Sequence, residues 1–159
     1  YLRKYCKDLQ DISIGPKIDM KGLGLSKILI FCTFVQILMG TQVRQQVDHL
    51  IRDTQTATHE TVVSNLGWIF YIHRSFSIFI LGFYFYLLFY FHRSRYNPSA
   101  FLLTLLSFFC VLGNVSTGIL LNYFEFPINA QPPHLFFGIM TIGLLYSLYL
   151  NLKGTLLED

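Results

Sequence analysis

Four stretches of the chain are nearly unbroken runs of apolar residues, and the polar positions gather between them. The first runs from about Leu23 to Val43 and the second from about Leu66 to Phe91. The third runs from Pro98 to about Phe124, and the fourth from Pro132 to about Leu152. A helix needs roughly 20 residues to cross the hydrocarbon core of a bilayer. Inside lipid, only a helix or a closed barrel can satisfy its own backbone. The pattern therefore predicts an all-α, polytopic membrane protein, an antiparallel bundle of four transmembrane helices over 23–152. A segment over 1–22 precedes it and a tail over 153–159 follows. Asn97 reads as a helix cap, and Pro98 and Pro132 suit a first helical turn, where a missing N–H costs nothing. Nothing reads as a strand, a GxGxxG loop or a repeat of solenoid length.

Composition strengthens this reading. Hydrophobic residues make up 53% of the chain and charged residues 13%, too few to clothe a soluble domain of 159 residues. The chain carries 16 Phe and 10 Tyr, as fits lipid-facing helices with Tyr at the interfaces. The net charge of +3 does not point to nucleic acid, because the basic residues flank apolar runs and act as topology signals. Arg3, Lys4, Lys7, Lys17 and Lys21 precede the first span, Arg93 and Arg95 follow the second, and Lys153 follows the fourth. The positive-inside rule then puts both termini on the cytoplasmic or matrix side, in a bacterial cytoplasmic membrane or a mitochondrial inner membrane. The 44–65 loop and the 122–131 turn face outward. Val47, Leu50 and Ile51, at helical spacing, predict a short amphipathic helix on that outer surface. Cys6, Cys32 and Cys110 all lie outside the outward-facing loops, so no disulfide framework is implied. A start at Tyr1 rather than Met leads us to expect a piece of a longer chain or a processed product. The first span is too long for a signal-peptide core and should stay in the mature protein.

Candidate chemistry comes from polar residues inside the spans, where each is costly. Thr33, Gln36, Gly40 and Arg44 share one face of the first helix, and His73, Ser77 and Tyr84 share one stripe of the second. Ser107, Cys110, Asn114 and Thr117 line one face of the third, and His134, Gly138 and Thr141 one face of the fourth. Stripes of small and polar residues pack inward and leave Phe, Leu and Ile for lipid. His73 lies roughly 10 Å inside the outer end of its helix at 1.5 Å per residue, and His134 lies near the first turn of a helix starting on the same side. Two imidazoles at similar depth suit the axial positions of a haem iron. Gly40, Gly118 and Gly138 would leave room for the macrocycle, and Arg44, at the end of the first helix, would pair with a propionate. Two plainer roles fit the same spacing: hydrogen bonding to a neighbouring helix, and a proton relay in a transporter. Arg74 points about 100° from His73 and reads as a snorkelling residue. His49, His59 and His92, in loops or at a helix end, read as solvated.

The run Val35-Gln36-Ile37-Leu38-Met39-Gly40-Thr41-Gln42-Val43-Arg44 resembles the Q-I-x-x-G-x-x-V-R helix end of haem A synthases. Ile72-His73-Arg74 resembles the H-R of their following helix. Asn114-Val115-Ser116-Thr117-Gly118-Ile119, with Pro127 and His134 beyond, resembles the Q-x-x-x-G-I … P … H of their last two helices. The motifs fall in order over most of 24–152. The family fold is a tandem pair of four-helix bundles, and the resemblance is to the C-terminal one. The N-terminal half has a glutamate three residues before its first histidine and an outer cysteine pair. Here Phe70 stands at that position, and the outer loop has no cysteine.

The resemblance implies that His73 and His134 are axial ligands of haem b, with Gln36, Asn114 and Arg44 beside the cofactor. It also implies that this half relays electrons, while haem O is bound by the other half and its methyl is oxidised to the formyl of haem A. No catalytic residue is assigned. The second site would come from an N-terminal half bundle or from a homo-oligomer. Two readings from other classes stay open: a b-type cytochrome subunit exchanging electrons with quinone, and a small transporter with a histidine relay. An absorption spectrum separates the transporter from both haem readings, and haem A in the extracted pigment separates the synthase from the cytochrome.

Overall fold

The computed structural model describes residues 19–53, 59–94, 97–124 and 128–154. Cys6, the basic residues before Asp19, Arg95, Glu125, Pro127 and the 155–159 tail lie outside the described residues.

Every regular element among the described residues is helical. Helix α1 spans Met20–Asp53, α2 His59–Asn65, α3 Trp68–Ser94, α4 Pro98–Tyr123 and α5 Gln131–Gly154, with a 3-10 turn at Ile128–Ala130 before α5. Four of these, α1, α3, α4 and α5, are long and apolar enough to cross a membrane. The Asn97 side chain caps α4, its oxygen accepting from the Ala100 N–H at 2.9 Å, and Pro98 opens the first turn. The Asn97 amide also donates to Asn151 Oδ1 at 2.8 Å, tying the start of α4 to the end of α5.

The first helix corrects an expectation. It does not end at Val43 but continues for 34 residues, roughly 50 Å at 1.5 Å per residue. Arg44 therefore sits within α1 rather than closing it, and most of the expected 44–65 loop is helical. The cause is local. The apolar run stops at Val43, but Val43, Val47 and Leu50 keep the helical stripe going. Val47, only 2% exposed, packs with Val62 of α2, Leu66 and Phe70. Arg44 pairs with Asp48 one turn on, and Arg52 Nε donates to the Asp48 carbonyl at 3.2 Å. Of the positions expected on an interfacial helix, Val47 and Leu50 are part of this extension and Ile51 is exposed.

Consecutive long helices pack on one another, and α5 closes back onto α1. The four form an up-down-up-down ring in which α3 and α5 stand on a diagonal. The end carrying Met20 and Gly154 is tightly filled. Leu29, Tyr84, Leu87, Leu145 and Leu148 are fully buried there, with Ala100, Thr104 and Ser107 of α4 against them. Small residues let helix backbones approach closely where lipid gives no hydrophobic drive for association. Their hydroxyls are satisfied within the helix: Thr104 donates to the Ala100 carbonyl and Ser107 to that of Leu103, each at 2.8 Å. Phe31, Ile78, Phe85, Phe109 and Phe136 point outward, as suits a lipid-solvated surface.

Candidate functional site

The filled core stops at one level. The last buried residues of the main core are Thr33 on α1, Ile80 on α3, Val111 on α4 and Thr141 on α5. Counting seven positions onward in each helix (33 to 40, 80 to 73, 111 to 118, 141 to 134) reaches Gly40, His73, Gly118 and His134. Seven residues are two turns, roughly 10 Å. All four residues thus lie in one layer above the same floor. Two glycines alternate there with two histidines around the ring.

Each histidine packs on the glycine of its neighbour helix. A Cβ placed on Gly40 would lie 3.1 Å from His73 Cε1, and one on Gly118 would lie 3.3 Å from His134 Cε1. Larger residues at either position would push the ring away. Each histidine is also held through its backbone by an amide four residues before that glycine. Gln36 Nε2 donates to the His73 carbonyl at 3.0 Å, and Asn114 Nδ2 donates to the His134 carbonyl at 2.8 Å. The α1–α3 and α4–α5 hairpins therefore repeat one construction: an amide, a glycine one turn on, and a histidine opposite.

The ring contacts of His134 define its tautomer. Its Nδ1 lies 3.0 Å from the Asn114 carbonyl, which can only accept, and 3.1 Å from the Thr117 hydroxyl. Thr117 itself donates to the Gly113 and Asn114 carbonyls at 2.8 and 2.9 Å. The proton thus sits on Nδ1, and Nε2 keeps its lone pair. The Gln36 carbonyl faces the His73 ring in the same way. That contact falls short of hydrogen-bond geometry, however, and His73 Nδ1 is buried without a partner, as is Gln36 Oε1. The two imidazoles belong to helices that stand on a diagonal of the bundle.

Among the described residues, no group of three or more His, Cys, Asp or Glu could hold a metal ion. Two facing imidazoles do not complete a site for a bare ion. They do suit a metal whose other ligands come from a planar macrocycle. The imidazole rings take up the space at Gly40 and Gly118, Gly138 faces the Asn114 amide, and the filled core ends two turns below this layer. On these observations the residues fit a bis-histidine haem.

The remaining expected residues are placed as follows. Arg44 is one turn beyond Gly40 and holds Asp48 in a two-point pair, Nε to Oδ2 at 3.0 Å and an Nη nitrogen to Oδ1 at 2.9 Å. The two side chains are 49% and 40% exposed, so this pair is solvated. Arg74 is exposed. His49 borders a groove of about 560 Å³ between Gln42, Gln45 and Gln46 of α1 and Asn65, which reaches neither core histidine. His92 packs near Phe101, with ring centroids 5.6 Å apart, and the His59 side chain lies outside the described residues. Sequence reasoning placed Gln36 and Asn114 beside a cofactor, and in the structure their amides donate to the carbonyls of His73 and His134. It also gave Thr117 no contact with His134. The signal for the two grips was present, since an amide followed four residues later by glycine occurs once before each histidine.

The family model described as cytochrome oxidase assembly protein, COX15-CtaA, matches residues 16–146. Neither the comparison with curated proteins nor that with solved structures gave a match.

Proposed function

The chain belongs to the COX15-CtaA family of cytochrome oxidase assembly proteins, the haem A synthases, and from that premise we propose that it is the haem b-binding, electron-relaying half of such an enzyme. The observation that carries the reading is the single layer of Gly40, His73, Gly118 and His134 above a filled floor. His73 and His134 would supply the two axial nitrogens, and a haem held between them would carry one electron at a time. Asn114 and Thr117 keep the His134 Nε2 lone pair available, and Gln36 and Asn114 fix the heights of the two histidine helices. Gly40 and Gly118 leave the rings room to stand upright. Arg44 could reach a propionate only by sharing its guanidinium with Asp48.

Oxidation of the haem O methyl to the formyl of haem A would occur at the other site of the complete enzyme, in an N-terminal half bundle or a second copy. Phe70 stands one turn before His73, where a carboxylate would be needed for base or charge-stabilising work. We place the histidine layer on the outer side of a bacterial cytoplasmic or mitochondrial inner membrane and both termini inside, supported by Lys21, Arg93 and Lys153 at the opposite end.

The test is an absorption spectrum of the full chain purified from haem-replete cells. The reading expects a reducible low-spin b-type haem at one per chain. A chain that is folded, inserted and colourless would refute it and favour the histidine relay.

A further inference from the structure

The two halves of the histidine layer are built alike and finished differently. On the α4–α5 side, His134 has its backbone carbonyl held by Asn114 at 2.8 Å, its Nδ1 at 3.0 Å from the Asn114 carbonyl and its Nδ1 at 3.1 Å from Thr117. On the α1–α3 side, Gln36 repeats the first contact at 3.0 Å. Of the other two, the Gln36 carbonyl faces the His73 ring but falls short of hydrogen-bond geometry, and the hydroxyl has no counterpart among the described residues. His73 Nδ1 is buried without a partner, and the residue before Gly40 is Met39, where Thr117 stands before Gly118.

A metal-bound imidazole that donates its second N–H to a carbonyl is held in one orientation and is the more basic ligand. One without that partner is oriented only by packing. A neighbouring amide oxygen, Gln36 Oε1, is equally unpaired. We propose that His134 is the fixed axial ligand and His73 the exchangeable one, so that a small neutral ligand such as carbon monoxide or imidazole enters on the α3 side. This inference rests on the bis-histidine haem reading. In the exchange the bond from His73 Nε2 to iron would break as the bond from the incoming ligand forms. Iron keeps its oxidation state, and no proton moves.

The experiment uses the full haem-loaded chain. His73→Gly and His134→Gly each open one axial position, and imidazole is titrated back while the low-spin absorbance is followed. The pocket left at His134 keeps the Asn114 carbonyl and the Thr117 hydroxyl, so imidazole should bind there roughly fivefold tighter than at the His73 pocket, the worth of one hydrogen bond. Adding Thr117→Val to His134→Gly removes the hydroxyl and leaves the Asn114 carbonyl, so part of that advantage should be lost and part retained. In the intact ferrous chain, where no cavity is needed, Met39→Thr should slow carbon monoxide uptake roughly fivefold by giving His73 the missing hydroxyl. Equal or reversed imidazole affinities would overturn the inference, as would uptake that Met39→Thr leaves unchanged. If the unmutated chain shows no low-spin haem, the haem reading itself has failed, and that result is read before any variant.

Discussion

The two ends of this bundle obey different packing rules. At the end carrying Met20 and Gly154, Leu, Tyr and Phe side chains close on Ala100, Thr104 and Ser107, and several residues are fully sealed. At the histidine end, no residue over 34–46, 71–79, 112–123 or 131–140 is buried, although every one of these stretches is helix. The difference teaches how one sequence can be both stable and receptive. The sealed end provides close packing, the main attraction between helices in lipid. At the histidine end, directed polar contacts from the Gln36 and Asn114 amides tie α1 to α3 and α4 to α5, with the Val47, Val62, Leu66 and Phe70 cluster beyond them. Such contacts leave space that close packing would fill.

Substitutions can break this comparison at either end. The largest effect is expected from Gly118→Leu. A Cβ alone already meets His134 Cε1 at 3.3 Å, so a full side chain must displace the ring at a cost of about 3 kcal/mol. Haem retention should fall more than tenfold while circular dichroism keeps its helical signal. Gly82→Ala, which adds a methyl where nothing lies within 4 Å, should change neither quantity. Equal behaviour of the two variants would mean that the glycine layer has no spatial role.

Leu148→Ala attacks the sealed end. Leu148 is fully buried, and its truncation should cost about 2 kcal/mol of bundle stability. That is the low end for such changes, because lipid rather than water is the alternative environment. Detergent or thermal unfolding should record the loss, while the haem spectrum of the folded fraction stays as it was. A shifted spectrum would show that the two ends are not separable.

Arg44→Ala should have the smallest effect. Its partner Asp48 is 40% exposed, and solvated pairs of this kind contribute about 0–1 kcal/mol. Haem occupancy should fall by no more than a few-fold. A loss above tenfold would make Arg44 a principal anchor of the group.

Much of this was legible in the sequence. The four spans, the Asn97 cap and the class of fold follow from the length of the apolar runs and from Pro98, because lipid leaves the backbone few alternatives. The extension of α1 was not legible from hydropathy. Residues 44–53 are polar enough to read as a loop, and what keeps them helical is a stripe, Val47 above all, that meets Val62 and Phe70 from elsewhere in the chain. His73 and His134 stood out because an imidazole within a span is costly. Their unequal support did not stand out. It depends on a ring nitrogen reaching the Asn114 carbonyl, and every residue has a carbonyl.

The central claim is that His73 and His134 face one another to hold one low-spin haem. Its most direct test is electron paramagnetic resonance of the oxidised chain beside His73→Ala and His134→Ala. The account predicts a low-spin bis-histidine signal in the unmutated chain and a high-spin or empty site in each variant, with insertion and helix content retained. A low-spin signal that survives both substitutions would contradict it.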